Sequence, residues 1–405
     1  MLVLVVAVGT VGGLVGAAYT ALLKLCERGL WPSHWSTTAH LGVMVGVGAV
    51  VAVVLRTLGS PGDVELLVDN IHVRGGSEDL RDLRSLIPVS LLCIASGGAM
   101  GPEAPLVQMT GGLGSWIGRR WRVSTVDGRI LTITGMAAGF AVLFGAPLGS
   151  AVFALEILHR RGLEYYEALI PAVIGALSGY AVNVVVSRAG MTPVWTFPAV
   201  HQLRAMDLLL GCAAGVAGAS VAVVFSVMTR AARWGSGYLV PALRPVVGGA
   251  ALGLLAFWSP DALTFGEAQL RVLAVGRVAA GTLVVAAFAK LCGTVVTLAA
   301  GWRGGFIIPL LFVGVAVGRL GHVLVPGTDE VVLVAAVMAA AICGVTKTPL
   351  GSTLVVAEMC GMRLLPPVLL ASVVALVLTS RIGVIDSQRE RTVADAGRPP
   401  DLPGP

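Results

Sequence analysis

Residues 145–157 read GAPLGSAVFALEI and residues 347–359 read KTPLGSTLVVAEM. Pro147, Leu148, Gly149, Ser150 and Glu156 match Pro349, Leu350, Gly351, Ser352 and Glu358 at an offset of 202 residues. A second pair recurs in the same order at nearly the same offset: GPEAPL at 101–106 against GFIIPL at 305–310, with Gly101 and Pro105 matching Gly305 and Pro309. Two motifs repeated in order mark an internal duplication, with halves at about 1–190 and 205–385. Duplicated membrane folds are typical of transporters, whose binding site lies between the repeats near the bilayer midplane.

The surrounding composition is that of a membrane protein. Of the 405 residues, 56% are hydrophobic and 12% charged, and the mean hydropathy is +0.88. Soluble domains carry about 25% charged residues. Residues 130–155, 168–187, 208–229 and 364–380 contain no Asp, Glu, Lys or Arg, and a spanning helix needs roughly 20 apolar residues. About ten such stretches are expected, several of them interrupted. Their continuity disfavours a transmembrane β-barrel, whose strands alternate. The expected class is therefore an all-α polytopic membrane protein with broken helices.

The first apolar stretch begins at Met1. It has no basic leader or small-residue cleavage pattern, so it reads as a membrane helix rather than a signal peptide. One membrane domain is expected over 1–385. A disordered polar tail is expected over 386–405, with no soluble regulatory domain. The net charge of +6 calls for no nucleic acid. Arg119, Arg120, Arg122, Arg160 and Arg161 lie in short loops beside apolar segments, as positive-inside placement would have them. His159 with Arg160 and Arg161 reads as an interfacial anchor. The six cysteines show no metal-ligand or redox spacing and read as buried thiols.

Residues 85–118 contain one charge, Glu103. This stretch of 34 residues is too long for one span and short for two. Gly97-Gly98-Ala99-Met100-Gly101-Pro102 breaks it in the middle. Proline suits the first turn of a helix, so a helix is expected to begin near Pro102 at membrane depth. Irregular backbone at that depth is tolerated only where it is buried in protein or lines a cavity. The free N–H groups and positive dipole end of the helix make an anion site. In the second half, Gly301-Trp302-Arg303-Gly304-Gly305 breaks the chain and a helix resumes near Phe306. The two N-termini are expected to converge on one anion. Glu103 then reads as a gate: its carboxylate occupies the anion site and leaves it when protonated. Ionisable groups inside the membrane are functional by default. Glu156 and Glu358 occupy matching repeat positions, which favours a structural role in capping or pairing.

These residues resemble the chloride channel (CLC) family. GPEAP (101–105) is similar to the family's gating motif, GFIIP (305–309) to its Gly-x-Phe-x-Pro motif, and FGAPLGSAVFALE (144–156) to the segment after the gating helix. Lys290, Thr294 and Thr297 resemble a Lys…Thr…Thr run upstream of the second motif, and Asp386-Ser387-Gln388 resembles the end of the membrane domain. Gly59-Ser60-Pro61-Gly62 resembles a loop whose serine contacts the central anion. The resemblance implies an inverted-repeat pore in each subunit of a homodimer in the plasma membrane. It also implies transport of a small anion, most simply chloride, with no catalysis, metal or cofactor. The anion path is expected at Ser60, Gly101, Pro102, Ala104, Gly305, Phe306, Ile307, Ile308 and Ile385, with Glu103 as gate.

The departures shape the expected mechanism. Pro102 stands where the family usually has a basic residue, Ala104 where it has glycine, and Ile307 where it has phenylalanine. Ile385 falls where many relatives carry an anion-coordinating tyrosine. Ile157 falls where proton-coupled exchangers often carry a second glutamate. Weak or absent proton coupling is expected, a proton-coupled chloride or fluoride exchanger being the alternative. A membrane enzyme would cluster His, Asp or Glu in its apolar segments, and a cation transporter would place several carboxylates on one cavity. Neither pattern occurs here, nor does a known catalytic motif.

Overall fold

The computed structural model describes residues 1–31, 35–59, 71, 83–159, 166–187, 197, 202–276 and 278–383. Among these lie fifteen α-helices and no strands. The first half holds α1 (Leu2–Leu30), α2 (Thr37–Leu58), α3 (Leu83–Ala95), α4 (Glu103–Arg120), α5 (Thr125–Phe144), α6 (Pro147–Glu156) and α7 (Leu169–Ser187). The second half holds α8 (Ala205–Gly237), α9 (Arg244–Trp258), α10 (Glu267–Val275), α11 (Ala280–Ala299) and α12 (Ile307–Leu324). It closes with α13 (Glu330–Thr346), α14 (Pro349–Cys360) and α15 (Leu365–Thr379). Among the described residues, eight stretches are long and apolar enough to cross a membrane, and four shorter apolar helices accompany them. The chain is a multi-pass integral membrane protein.

The halves repeat one another in packing as well as in sequence. In the first, Gly9 and Gly13 of α1 lie against Gly175 and Gly179 of α7, where an added Cβ would stand 2.7 and 2.5 Å from the facing carbonyl oxygens. In the second, Gly211 and Gly215 of α8 meet Pro367 and Ala371 of α15 in the same way, at 2.5 and 2.8 Å. Small residues four apart let membrane helices approach closely, where there is no hydrophobic driving force to join them. The pair α4 and α5 has its counterpart in α12 and α13, where Gly314 and Gly318 lie against the backbone of Met338 and Val334. Caps repeat too. Ser124 accepts the Asp127 N–H at the start of α5, and Asp329 accepts those of Val331 and Val332 at the start of α13.

The inversion is most explicit at α6 and α14, the helices of the first repeated string. The Glu156 carboxylate, at the C-terminal end of α6, accepts from the N–H groups of Leu350 (3.1 Å) and Gly351 (2.6 Å) in the first turn of α14. Glu358 returns the arrangement, accepting from Leu148 (3.2 Å) and Gly149 (2.8 Å) in the first turn of α6. Each helix therefore supplies the N-terminal cap of the other. The glycines in Pro-Leu-Gly-Ser sit where the helices cross. A Cβ on Gly351 would lie 2.5 Å from Phe153 Cα, and one on Gly149 would strike the backbone at Val355. Glu156 and Glu358 are thus reciprocal caps, in keeping with their matched positions in the sequence.

Two sequence expectations need adjustment. His159 is 1% exposed, so it is a packed interior side chain rather than an interfacial anchor; Arg160 and Arg161 lie outside the described residues. All six cysteines are free, but only Cys93, Cys343 and Cys360 are fully buried.

Candidate functional site

The two glycine-rich breaks meet. Between α3 and α4 the chain turns at Gly97, whose φ of +101° glycine adopts without strain. Between α11 and α12 it turns at Gly301, with φ +75°. The breaks then run side by side, and Gly101 and Gly305 exchange backbone hydrogen bonds. The Gly101 N–H donates to the Gly305 carbonyl at 2.8 Å, and the Gly305 N–H donates to the Gly101 carbonyl at 2.6 Å. The second pair of repeated motifs is thus joined at its first residues.

From this junction two helices lead away. Pro102 is the N-cap of α4 and Phe306 that of α12, at the positions read from the breaks in the sequence. Glu103 opens α4 and is 1% exposed. Its Oε1 accepts a hydrogen bond from the Ile308 N–H at 2.5 Å, in the first turn of α12. Its Oε2 is buried with no hydrogen-bond partner. The carboxylate fills the crook between the glycines: a Cβ at either Gly101 or Gly305 would run into it. An anionic group therefore sits on the positive end of a helix from the opposite repeat, which is the geometry of an anion site. Ile307 opens α12 as Glu103 opens α4, so the second repeat carries no counterpart of the carboxylate.

The structure brings together Gly101, Pro102, Glu103, Ala104, Gly305, Phe306, Ile307 and Ile308 within these two turns. Ser60 and Ile385 lie outside the described residues. Phe306 is partly buried and lies 5.7 Å, centroid to centroid, from Phe225 of α8.

Surrounding side chains hold the breaks in place. Trp302 is 2% exposed, and its Nε1 donates to the Pro245 carbonyl at 2.9 Å. Its ring fills the space left by Gly98 and Gly249. Lys290 of α11 is fully buried, and its Nζ donates to the carbonyls of Leu263 (2.6 Å) and Thr264 (2.9 Å). Thr264 N–H in turn donates to Gly97 O at 2.7 Å, so Lys290 steadies the turn leading to Glu103. The ammonium also lies 5.0 Å from the centroid of the Phe312 ring, a cation–π contact.

Sequence reasoning did not single out Lys347. It is the C-cap of α13 in the left-handed region, with φ 62°, and Gly145 occupies the same place after α5, with φ 64°. The buried Lys347 ammonium donates to the carbonyls of Gly344 (2.5 Å) and Thr379 (2.7 Å) and to Thr379 Oγ1 (2.8 Å). A lysine opposite a glycine in the repeat alignment was the available signal. Beside it, hydroxyls link Thr346 to Thr348 at 2.6 Å and Thr348 to Ser352 at 2.8 Å.

Comparison with known proteins agrees with this architecture. Residues 59–380 match the profile of the family described as Voltage gated chloride channel. A relative from Pseudomonas syringae pv. tomato, named Chloride/fluoride channel protein, is 26% identical over 398 residues, covering 94% of this chain and 85% of its own length. The Voltage-gated ClC-type chloride channel ClcB of Shigella flexneri is 27% identical over 312 residues, 75% of this chain and 74% of its own. Among solved structures, a CLC-type fluoride/proton antiporter superposes with a TM-score of 0.81 at 22% identity, over 96% of this chain and 97% of that one. A slow cyanobacterial Cl-/H+ antiporter gives 0.78 at 20% identity, over 93% of each chain. At those identities the structures share the fold.

Proposed function

The chain belongs to the voltage gated chloride channel family and is a membrane protein that moves anions, not an enzyme; we propose that its anion is chloride and that Glu103 is the gate. One observation carries this reading: the Glu103 carboxylate lies on the N-terminal turn of α12, hydrogen-bonded to the Ile308 N–H. A tethered carboxylate and a free halide compete for the same donors. Backbone dipoles hold an anion without pairing it to a full positive charge, which suits passage rather than capture. The anion path runs past Ser60, Gly101, Pro102, Ala104, Gly305, Phe306, Ile307, Ile308 and Ile385.

Protonation removes the charge that draws Glu103 to the helix end, and the site opens. Proton coupling is weak or absent in this reading. Ile157 is 2% exposed and has no titratable group to pass a proton inward. The chloride assignment rests on Ser60 and on the lack of a Gly-Asn-x-Pro loop.

The working unit is a homodimer in the plasma membrane, joined through the regions of residues 147–186 and 349–382. Outward apolar side chains there support it, including Ile170, Leu177 and Val377 at 65%, 50% and 66% exposure. The test is ion flux from liposomes holding the purified protein, read for chloride, fluoride and pH together. Chloride flux that rises on acidification supports the reading. Flux of fluoride in preference to chloride, or of cations, defeats it.

A further inference from the structure

The turn that pins Gly97 is itself strained. Among the described residues three non-glycines have left-handed backbone, Arg122, Thr264 and Lys347, and of these Thr264, with φ +58°, is β-branched. A β-branched residue there is an outlier, and such strain persists only where the surroundings over-determine it. They do so here. The Thr264 N–H donates to the Gly97 carbonyl at 2.7 Å, and the Thr264 carbonyl accepts from Lys290 Nζ at 2.9 Å. The Thr264 hydroxyl donates to Gln269 Oε1 at 2.9 Å and accepts the Gly266 N–H at 3.3 Å. Gln269 Nε2 donates in turn to the Leu263 carbonyl at 3.4 Å, which Lys290 also reaches at 2.6 Å.

This turn, between α9 and α10, touches both repeats. On one side it holds Gly97, four residues before Gly101. On the other, Gly266 lies against Phe312 of α12, where an added Cβ would stand 3.2 Å from the ring. Lys290 lies over that same ring. Gly293 of α11 packs against the Ala262 carbonyl and Ala99, closing the space between turn and break. The turn thus sits between the break that carries Glu103 and the helix that carries Ile308. The Glu103–Ile308 hydrogen bond crosses from one to the other.

A buried lysine needs acceptors, and the carbonyls of any turn would serve it. That reading does not explain threonine at position 264. Glycine would give the same backbone without strain; what threonine adds is the hydroxyl that locks the turn. The charged groups around it are Lys290 from α11 and its electrostatic neighbour Asp261. Glu267, at the start of α10, faces Glu27 of α1. On the far side Tyr19 of α1 faces Glu103, its hydroxyl bonded to Ser90 at 2.8 Å.

We propose that Thr264 is a positioning residue of the gate: its locked turn sets the spacing between the two breaks, so that the Glu103 carboxylate meets the Ile308 N–H. The inference rests on the gating reading of Glu103. A hydrogen bond keeps its strength only over a few tenths of an ångström, so the closed arrangement needs this spacing. A path from which the carboxylate has withdrawn does not. Loosening the turn therefore disfavours the closed state against the open one.

The test is chloride efflux from liposomes at alkaline and acid pH, with Thr264 variants made in the wild type and in Glu103→Ala. Thr264→Val keeps the shape and the strain and loses the hydroxyl. It should raise alkaline flux relative to acid flux by about tenfold, as expected when a hydrogen bond to a charged group is weakened. Thr264→Gly also lacks the hydroxyl but relieves the strain; it should act like valine and decides the matter if the valine variant does not fold. Thr264→Asn tolerates left-handed backbone, and its side-chain oxygen reaches the N–H two residues on, so it should restore the low alkaline flux. In Glu103→Ala none of the three should change the alkaline-to-acid ratio. An unchanged ratio in the valine or glycine variant makes the turn scaffold alone and overturns the proposal. So does asparagine behaving like valine, or a valine effect that persists in Glu103→Ala. A pH response surviving in Glu103→Ala by itself defeats the gating reading, and this inference with it, whatever the Thr264 variants do.

Discussion

Glu103 and Ile308 lie 205 positions apart in the chain, yet the carboxylate of one accepts the backbone N–H of the other. The first residue of α4 thereby caps the first turn of α12. A side chain from one repeat occupies the anion-attracting end of a helix from the other, held there by the paired glycines Gly101 and Gly305.

A pH response follows with a definite sign. At high pH the carboxylate is charged, is drawn to the N-terminus of α12 and fills the site, so flux is low. As pH falls it gains a proton, the attraction weakens, and the site opens. Flux should therefore rise on acidification, by at most about tenfold per pH unit for a single titrating group. Glu103→Gln and Glu103→Ala should give flux independent of pH. Chloride efflux from liposomes at stepped pH checks this; a persisting pH response in the variants removes Glu103 from the mechanism.

Gly101→Ala and Gly305→Ala probe the same space differently. Either Cβ would run into the Glu103 carboxylate. If anion and carboxylate share that space, the methyl group excludes both, and little relief is available in close-packed surroundings. Flux should fall even at acid pH, where the wild-type gate is open, and adding Glu103→Ala should not restore it. Full acid-pH flux in either alanine variant would separate the anion position from the carboxylate position.

The sequence made part of this legible. An isolated glutamate after Gly-Pro announced a helix start at membrane depth, because Pro favours the first turn and a lone charge is costly among apolar residues. The repeated strings located both breaks for the same reason. Contacts between repeats were harder to read. Gly101 pairing with Gly305, and Glu156 capping at Gly351, depend on the halves being inverted against each other, which one-dimensional matching does not encode. Trp302 lay within the marked break, yet its packing against Gly98 and Gly249 required the fold. Lys347 escaped notice because lysine carries no signature of left-handed backbone.

The reciprocal caps predict a stability effect. Glu156→Ala strips both acceptors from the Leu350 and Gly351 N–H groups at a site where Glu156 is 4% exposed. Leaving buried donors without partners costs about 1–3 kcal/mol. Glu358→Ala removes the equivalent pair, but Glu358 is only partly buried, so water replaces more of what is lost. The melting temperature in detergent should drop for both and further for Glu156→Ala. Unchanged melting would show that the caps contribute no net stability.

Lys347 and Gly145 predict a difference between glycine and alanine. Both positions are left-handed, a conformation costing about 1–2 kcal/mol for a residue with a Cβ. Lys347→Ala loses the three ammonium hydrogen bonds and keeps the backbone strain. Lys347→Gly loses the bonds and relieves the strain, so it should be more stable than Lys347→Ala by about 1 kcal/mol. Gly145→Ala should lose a similar amount. Denaturation in mixed micelles measures the order. Equal stability of the two Lys347 variants would mean that the turn relaxes when the ammonium is removed.

Coupling to protons is the last question these residues pose. An exchanger needs a group to carry protons between Glu103 and the opposite solution. Ile157, at the end of α6, is buried and apolar, and the nearby Glu156 is engaged as the cap of α14. Moving that carboxylate away to carry a proton would leave the Leu350 and Gly351 N–H groups without their acceptor in each cycle. The expected result is anion movement without stoichiometric proton movement. Liposomes given a chloride gradient should pass chloride while their internal pH follows only passive leak. Uphill proton movement that vanishes in Glu103→Ala would overturn the uncoupled reading and leave the gate intact. Its loss in Glu156→Gln, at unchanged melting temperature, would identify the cap as the missing carrier.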